Sequence, residues 1–192
     1  RVLQGPEPPA IANAGDLWQS PVDGSQFVAV PAGSFLFGTS QEVRPLNGVY
    51  TSVSMDRPLV IKVHLPGFWI QRFEVTNAQF ARFVQAKIRE GYQVKSTAWQ
   101  ALAAVAQQLM ADQKLTQEEW DNLPAVGISV LDAAAYAEWI NGSLPTEAQW
   151  EKAARGTQGE WWPWGNQADL FDIAQVNFAD ASWPNSPRMM TH

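Results

Sequence analysis

The spacing of apolar residues predicts short β-strands in the first part of the chain. Residues 26–37 (Gln-Phe-Val-Ala-Val-Pro-Ala-Gly-Ser-Phe-Leu-Phe) contain two short apolar runs separated by the turn sequence Pro31-Ala32-Gly33, which predicts two short strands joined in a hairpin. Residues 60–65 predict a further strand, and residues 68–75 predict another after the turn at Pro66-Gly67. This part of the chain should therefore form small sheets.

Beyond residue 75 the apolar period changes from two to 3.6, which predicts helices. Thr76 and Gln79 form a capping-box sequence, and the helix that they open should run to about Glu90 and end at Gly91. Four more helices are predicted: one at 97–111, a short one opened by Thr116-Gln117-Glu118-Glu119, one at 131–141, and one opened by Thr146-Glu147-Ala148-Gln149 that stops at Gly156.

The last two helices should bury apolar side chains. In the helix at 131–141 we expect Leu131, Ala135, Tyr136 and Trp139 to point inward, and in the next helix Trp150, Ala153 and Ala154. Residues 157–192 are rich in Trp, Pro and Asn and predict irregular structure.

These elements predict an α+β domain, since strands precede helices and do not alternate with them as in a doubly wound sheet. Residues 1–25 have little apolar periodicity and predict a loosely held N-terminal arm, although Leu17 and Trp18 could dock on the body. Residues 26–192 are assigned to one domain.

Composition excludes several partners and chemistries. The formal net charge is −6 and no basic run occurs, so nucleic acid is not an expected partner. No stretch approaches the ~20 apolar residues of a membrane helix, so an integral membrane protein is not expected. The chain has no cysteine, which excludes disulfides, zinc–thiolate sites and thiol nucleophiles within these 192 residues. Cysteine absence does not distinguish cytosol from periplasm.

The residues alone provide no catalytic motif of a familiar hydrolase, nucleotide-binding or zinc-protease type. The two histidines are His64, in a strand pattern, and His192, at the chain end. His64 is better interpreted as a half-exposed strand residue than as a base or ligand. No catalytic residue is therefore assigned.

Four segments, in order, resemble the formylglycine-generating-enzyme (sulfatase-modifying-factor) family. The segments lie within residues 27–180 and in the order of the family's motifs. They are Val-Pro-Ala-Gly-Ser-Phe-Leu-Phe-Gly-Thr at 30–39, Phe-Trp-Ile-Gln-Arg-Phe-Glu-Val-Thr-Asn-Ala-Gln-Phe at 68–80, Leu-Asp-Ala-Ala-Ala-Tyr-Ala-Glu-Trp at 131–139, and Leu-Pro-Thr-Glu-Ala-Gln-Trp-Glu-Lys-Ala-Ala-Arg-Gly at 144–156 followed by Pro163-Trp164-Gly165. The segments themselves should fix architecture through helix capping and core packing.

The resemblance implies a variant of the C-type-lectin fold, with short strands, a few capped helices and much irregular structure. It also implies bound calcium, with the Asn177 side chain and the Phe178 carbonyl as ligands and the Asp180 carboxylate as a third. An Asn-Asp turn is the alternative for these residues. The family's enzymes oxidise a sulfatase cysteine with a copper-binding cysteine pair, which lies in a C-terminal part of the domain that we expect to be absent from this chain.

Departures from the family pattern point to a diverged paralogue. Ser143 replaces an arginine, Val130 replaces an aromatic residue, Ala137 replaces a cysteine, and residues 93–121 form a helical insertion.

The leading hypothesis is a non-catalytic, calcium-stabilised family member in the periplasm or secreted, which binds or regulates another protein or a second chain completing the domain. One role in the family is an accessory of the signalling cascade that activates type VI secretion.

Two other hypotheses remain open. The first is an oxidoreductase, either a copper formylglycine generator or a related iron sulfoxide-type oxidase, whose catalytic C-terminal half lies outside this chain. The other is a lectin-like module that uses Trp161-Trp162-Pro163-Trp164 as a stacking platform.

Overall fold

The computed structural model describes residues 1–10, 13–38, 60–160 and 162–165 of the 192. The described residues fall into two compact units, one within residues 1–29 and 69–144 and the other within residues 30–68 and 145–192. The described strands are β1 (Val2–Leu3), β2 (Leu17–Gln19), β3 (Gln26–Val30), β4 (Gly33–Phe37), β5 (Ile61–Leu65) and β6 (Phe68–Gln71). The described helices are α1 (Asn77–Arg89), α2 (Thr97–Ala111), α3 (Gln117–Asn122), α4 (Val130–Trp139) and α5 (Glu147–Arg155).

The first unit contains a four-stranded sheet with the order β1-β2-β3-β6. β1 runs parallel to β2, and β2 runs antiparallel to β3 with Leu17 opposite Val28. Residues 1–25, for which an arm was predicted, thus contribute two strands. The sequence analysis allowed Trp18 to dock on the rest of the domain, and in the structure the Trp18 side chain is buried. Its indole N–H donates to the Gly5 carbonyl at 3.2 Å.

Helices α1 to α4 complete the first unit. The capping boxes predicted at Thr76 and Thr116 are confirmed, since each threonine hydroxyl accepts from the backbone N–H three residues later and each N3 side chain bonds back to the cap. The core holds Phe80, Phe83, Trp99, Tyr136 and Ile140. The rings of Phe80 and Trp99 meet edge to face with centroids 4.8 Å apart.

One burial prediction in α4 is wrong. Tyr136 is buried as expected, but Leu131 is 63% exposed. Five residues advance a helix by about 140° beyond one full turn, so Leu131 and Tyr136 cannot share a face. Asp132 lies four residues before Tyr136 and takes the buried position in the first turn of α4.

The second unit pairs β4 with β5 in an antiparallel two-stranded sheet, with Phe35 opposite Val63. Phe35 is buried, and α5 packs on β4. The capping box at Thr146 is confirmed. The inward position predicted for Trp150 is wrong, because it is 62% exposed, and Ala153 is exposed as well. The buried residue of α5 is Lys152, whose ammonium group finds backbone acceptors there.

The described helices and small sheets agree with an α+β protein, and the C-type-lectin-like arrangement stays a prediction. Within the described ranges, no helix is long and apolar enough to cross a membrane.

Candidate functional site

The predicted calcium ligands Asn177, Phe178 and Asp180 lie outside the described residues. Among the residues that are described, no group of three or more His, Asp or Glu side chains is placed to hold a metal ion. His64 lies exposed on β5, where its Nδ1 atom is 3.5 Å from the Ser34 hydroxyl on the paired strand. The structure thus places His64 in a strand, as the sequence predicted.

The segment at 131–139 builds a buried polar cluster in the first unit, which we call the Asp132 cluster: Tyr92, Lys95, Ser96, Ser129 and Asp132. The Asp132 carboxylate is fully buried. It accepts hydrogen bonds from the Tyr92 hydroxyl at 2.7 Å, from the Lys95 backbone N–H at 2.8 Å and from the Ser96 hydroxyl. These bonds attach the loop before α2 to the first turn of α4.

Ser129 joins the same cluster as the N-cap of α4. Its hydroxyl accepts from the Asp132 N–H at 3.1 Å, and its own N–H donates to the Ser96 hydroxyl at 2.9 Å. The helix start and the buried carboxylate are therefore held by one connected set of bonds.

The cluster perturbs two ionisable groups. Burial of Asp132 opposes its ionisation, but the hydrogen bonds from Ser96, Tyr92 and the Lys95 N–H together outweigh burial, so the pKa of Asp132 lies below its usual value. The bond that Tyr92 donates to this carboxylate, with help from burial, raises the pKa of Tyr92 to about 12. The pair is thus stable as carboxylate and neutral phenol at neutral pH.

A second buried carboxylate, Asp23, lies beneath the same helix. It accepts from the Ser25 N–H at 3.1 Å, from the Ser25 hydroxyl at 2.7 Å and from the Tyr136 hydroxyl. Burial, followed by this bond to Asp23, raises the pKa of Tyr136. The Asp23 backbone carbonyl accepts from Arg82 of α1 at 3.1 Å. Asp23 therefore ties the loop before β3 to α1 and α4.

The segment at 144–156 builds a cluster in the second unit, which we call the α5 clamp: Glu151, Lys152 and Arg155. Lys152 Nζ donates to the carbonyls of Pro31 at 2.7 Å and Gly33 at 3.1 Å. Burial lowers the pKa of Lys152. This residue therefore fixes the turn at which β4 begins.

The other two clamp residues fix the end of β4 at Gly38. Glu151 Oε1 accepts from the Gly38 N–H at 2.7 Å, and Arg155 donates to the Gly38 carbonyl at 3.1 Å. Arg155 and Glu151 also form an ion pair at 2.6 Å, and both side chains are largely buried. One helical turn of α5 thus holds both ends of β4.

The tryptophan platform suggested by sequence is described only in part, because Trp161 lies outside the described residues. The rings of Trp162 and Trp164 stack in parallel planes with centroids 5.6 Å apart, and both residues are half-buried. One face of each indole ring is therefore covered, at least in part, by the other indole ring.

In the described part of the chain, the charged side chains of the family-like segments have a structural role. Their carboxylate, ammonium and guanidinium groups each bond to partners within the chain and hold strands and helix starts in place. Sequence analysis missed Asp132 and Lys152 as individual residues. A signal for Asp132 was present, since it precedes the buried Tyr136 by four residues.

Comparisons with known proteins agree with the resemblance. The family model described as a sulfatase-modifying factor enzyme 1-like domain matches residues 13–191. The chain is 33% identical over 165 residues to uncharacterized protein YfmG of Bacillus subtilis, which covers 83% of the chain and 31% of the relative. It is 31% identical over 190 residues to the formylglycine-generating enzyme of Mus musculus, which covers 84% of the chain and 48% of the relative.

A further relative carries a name that bears on activity. The chain is 30% identical over 191 residues to the inactive C-alpha-formylglycine-generating enzyme 2 of Mus musculus, over 84% of the chain and 56% of the relative. The chain therefore spans about half of the two mouse relatives, and less of YfmG. With the family model matched over 13–191 and four motif segments in register, the chain belongs to the sulfatase-modifying factor enzyme 1-like domain family.

Proposed function

We propose that this chain is a non-catalytic, calcium-stabilised member of its family that binds or regulates another protein outside the cytoplasm. The observation that carries the proposal is the use of the family segments as scaffold: Asp132 and the α5 clamp are bonded within the chain and hold other elements. A relative with the word inactive in its name provides a precedent.

The binding role is tested by affinity capture. The tagged chain is incubated with periplasmic extract of its host, and retained proteins are identified by mass spectrometry. We expect one partner retained at fixed stoichiometry, and components of a secretion-system signalling cascade are one candidate class. Absence of any specific partner in the periplasmic extract would contradict the binding role.

The calcium proposal is tested by thermal unfolding in calcium and in chelator. Asn177, Phe178 and Asp180 offer the oxygen ligands that calcium prefers. At free calcium 100-fold above its Kd, binding to the folded state adds about 2.7 kcal/mol of stability. We expect Asn177→Ala to lose this increment while Asn122→Ala, at an exposed position, keeps it. An unchanged Tm in calcium for the unsubstituted chain would refute the proposal.

A second candidate function is oxidation of a sulfatase cysteine to formylglycine, with the catalytic residues in a part of the protein beyond these 192 residues. The observation that favours it is the 31% identity to a mouse formylglycine-generating enzyme of which the chain covers 48%. The test is mass spectrometry of a cysteine-containing sulfatase peptide after incubation with the protein, copper, dioxygen as the oxidant and a thiol reductant. Conversion of the cysteine to an aldehyde by the protein would establish this function and exclude the non-catalytic proposal.

A further inference from the structure

A proline-rich segment lies between β1 and β2 in the first unit, at residues 5–9, and we call it the proline strap. Its sequence is Gly-Pro-Glu-Pro-Pro, in which Pro6 and Pro9 have the spacing of a Pro-x-x-Pro motif. Three of its five residues are prolines and have no backbone N–H to donate. The carbonyl oxygens of the strap are therefore the main groups by which the rest of the chain can hold it.

Two tryptophan side chains hold the proline strap by its carbonyl oxygens. The Trp18 indole N–H donates to the Gly5 carbonyl at 3.2 Å, and the Trp69 indole N–H donates to the Pro9 carbonyl at 3.1 Å. Among the residues that the structure describes, no other hydrogen bond or ion pair reaches the strap. Both ends of the strap are thus fixed by the same kind of donor.

The proline strap makes little use of its own side chains. Residues 5–8 are exposed and Pro9 is half-buried. Trp18, in contrast, is 4% exposed, and Trp69 is half-buried on β6. The contact therefore depends on the positions of two carbonyl groups in a proline-rich backbone and not on the identity of the exposed side chains.

The two indoles are spaced for a short extended segment. Trp18 lies on β2 and Trp69 on β6, and these strands flank β3 in the sheet. Two strand spacings amount to about 10 Å, and the four residues from Gly5 to Pro9 can span at most about 14 Å. A proline-rich segment of this length is therefore long enough to reach both donors.

Aromatic side chains on a sheet are a common binding surface for proline-rich peptides. The restricted backbone of such peptides loses little conformational entropy on binding, so a few contacts suffice. We propose that Trp18 and Trp69 form a binding site for a proline-rich segment of a partner protein, and that the proline strap occupies this site until the partner displaces it. The inference rests on the proposed binding function and gives the chemical class of the partner.

The contacts of the proline strap allow its release. Two hydrogen bonds to neutral carbonyl groups hold it, and each such bond adds little net stability. β1 pairs with β2 through Val2 and Leu3, so this pairing does not depend on the strap. Because the strap is part of the chain, its local concentration at the two indoles is high. A free peptide should therefore bind the unsubstituted chain weakly.

The experiment measures binding of a fluorescent peptide with the sequence of residues 4–10, Gln-Gly-Pro-Glu-Pro-Pro-Ala, to the full chain by anisotropy. A strap variant combines Pro6→Gly, Pro8→Gly and Pro9→Gly, which free the strap backbone and weaken its docking. We expect this variant to bind the peptide about tenfold more tightly than the unsubstituted chain, which corresponds to a strap that leaves the site free about a tenth of the time. Equal affinity, or no binding by the strap variant, would overturn the proposal.

Two controls test the chemistry of the site. The same peptide with alanine in place of its three prolines should bind the strap variant at least about tenfold more weakly, because its flexible backbone loses more entropy on binding. Trp69→Phe, added to the strap variant, removes the indole donor but keeps an aromatic ring and should weaken peptide binding. Trp150→Phe, at an exposed position in the second unit, is the matched control and should leave the affinity unchanged. Unchanged affinity with the alanine peptide or with Trp69→Phe would contradict the site.

Nuclear magnetic resonance of the indole N–H groups provides a measurement that needs no tryptophan substitution. Saturation of the strap variant with the peptide should shift the resonances of Trp18 and Trp69 and leave that of Trp150 in place. Unshifted Trp18 and Trp69 resonances would overturn the proposal. Circular dichroism establishes that each variant is folded.

The same variants separate this inference from the proposed function. A periplasmic partner that the chain captures equally well with Trp69→Phe would leave the binding role standing and overturn the proline-rich site. Peptide binding at the two indoles without any captured partner would support the site and contradict the binding role.

Discussion

At the scale of single residues, two buried charges are stabilised in different ways. Asp132 is surrounded by hydrogen-bond donors, so its ionised form is favoured despite complete burial. Lys152 bonds two backbone carbonyls, which are weaker partners for a cation than a carboxylate, and burial accordingly lowers its pKa. Both charges hold backbone segments that are distant in sequence.

Replacing the carboxylate of Asp132 should destabilise the fold. Asp132→Asn keeps the side-chain volume but turns an NH₂ group toward donors that need an acceptor, so we expect a loss of about 2–4 kcal/mol in the free energy of unfolding. Urea titration followed by circular dichroism measures it. Asp112→Asn is the matched control at an exposed site and should change stability by less than about 0.5 kcal/mol. If the free energy of unfolding of Asp132→Asn were as little changed as that of Asp112→Asn, the hydrogen bonds of Asp132 would add no stability.

At the scale of elements, helix starts follow local sequence closely. α1, α3 and α5 each begin with a threonine N-cap whose N3 residue, Gln79, Glu119 or Gln149, completes the capping box. These bonds lie within four residues, so the sequence alone predicts them. The buried faces of α4 and α5 depend on distant partners, and there the predictions for Leu131 and Trp150 failed.

Removing the cap of α5 should weaken the second unit. Thr146→Ala deletes the hydroxyl that accepts from the Gln149 N–H at 3.2 Å, and we expect a loss of about 1 kcal/mol. Thr146→Ser keeps the hydroxyl and should stay within a few tenths of a kcal/mol of the unsubstituted chain. Thermal and urea unfolding of both variants measure the difference. If serine were as costly as alanine, the threonine methyl group, and not the cap, would be the stabilising feature.

At the scale of the whole molecule, long-range bonds join segments that are far apart in sequence. Tyr92 lies 40 residues from Asp132, and Tyr136 lies 113 residues from Asp23. Lys152 lies 121 residues from Pro31. Global stability should therefore respond to the ionisation of these groups.

Alkaline pH should remove the contribution of Tyr92. Its pKa is about 12 in the folded state against 10.0 for the unperturbed group, so between these values the folded state binds more protons than the unfolded state. The contribution of Tyr92 is therefore complete below pH 10 and is lost as pH rises toward 12. The stability advantage over Tyr92→Phe should shrink across this window, as measured by urea unfolding at successive pH values. A constant advantage would contradict the linkage.

The sequence by itself determined the features that depend on neighbours along the chain. The break between two strands at Pro31-Ala32-Gly33, the capping boxes and the helix period all involve bonds or spacings within a few residues, and four motif segments in register were sufficient to indicate the family. The hairpin predicted around that break is wrong, because β3 pairs with β2 and β6 whereas β4 pairs with β5. The predicted calcium ligands stay a prediction of the sequence.

Only the tertiary structure decided which side chains are buried and what the charged residues bond. Residues 1–25 contribute strands because β2 finds a partner in β3, and Trp18 is buried as a result. The inner face of α5 carries Lys152 and not Trp150, because two backbone carbonyls at the start of β4 lie within hydrogen-bonding distance of the Lys152 ammonium group. No local pattern contains the information about Lys152, since its two carbonyl partners lie more than a hundred residues away in sequence.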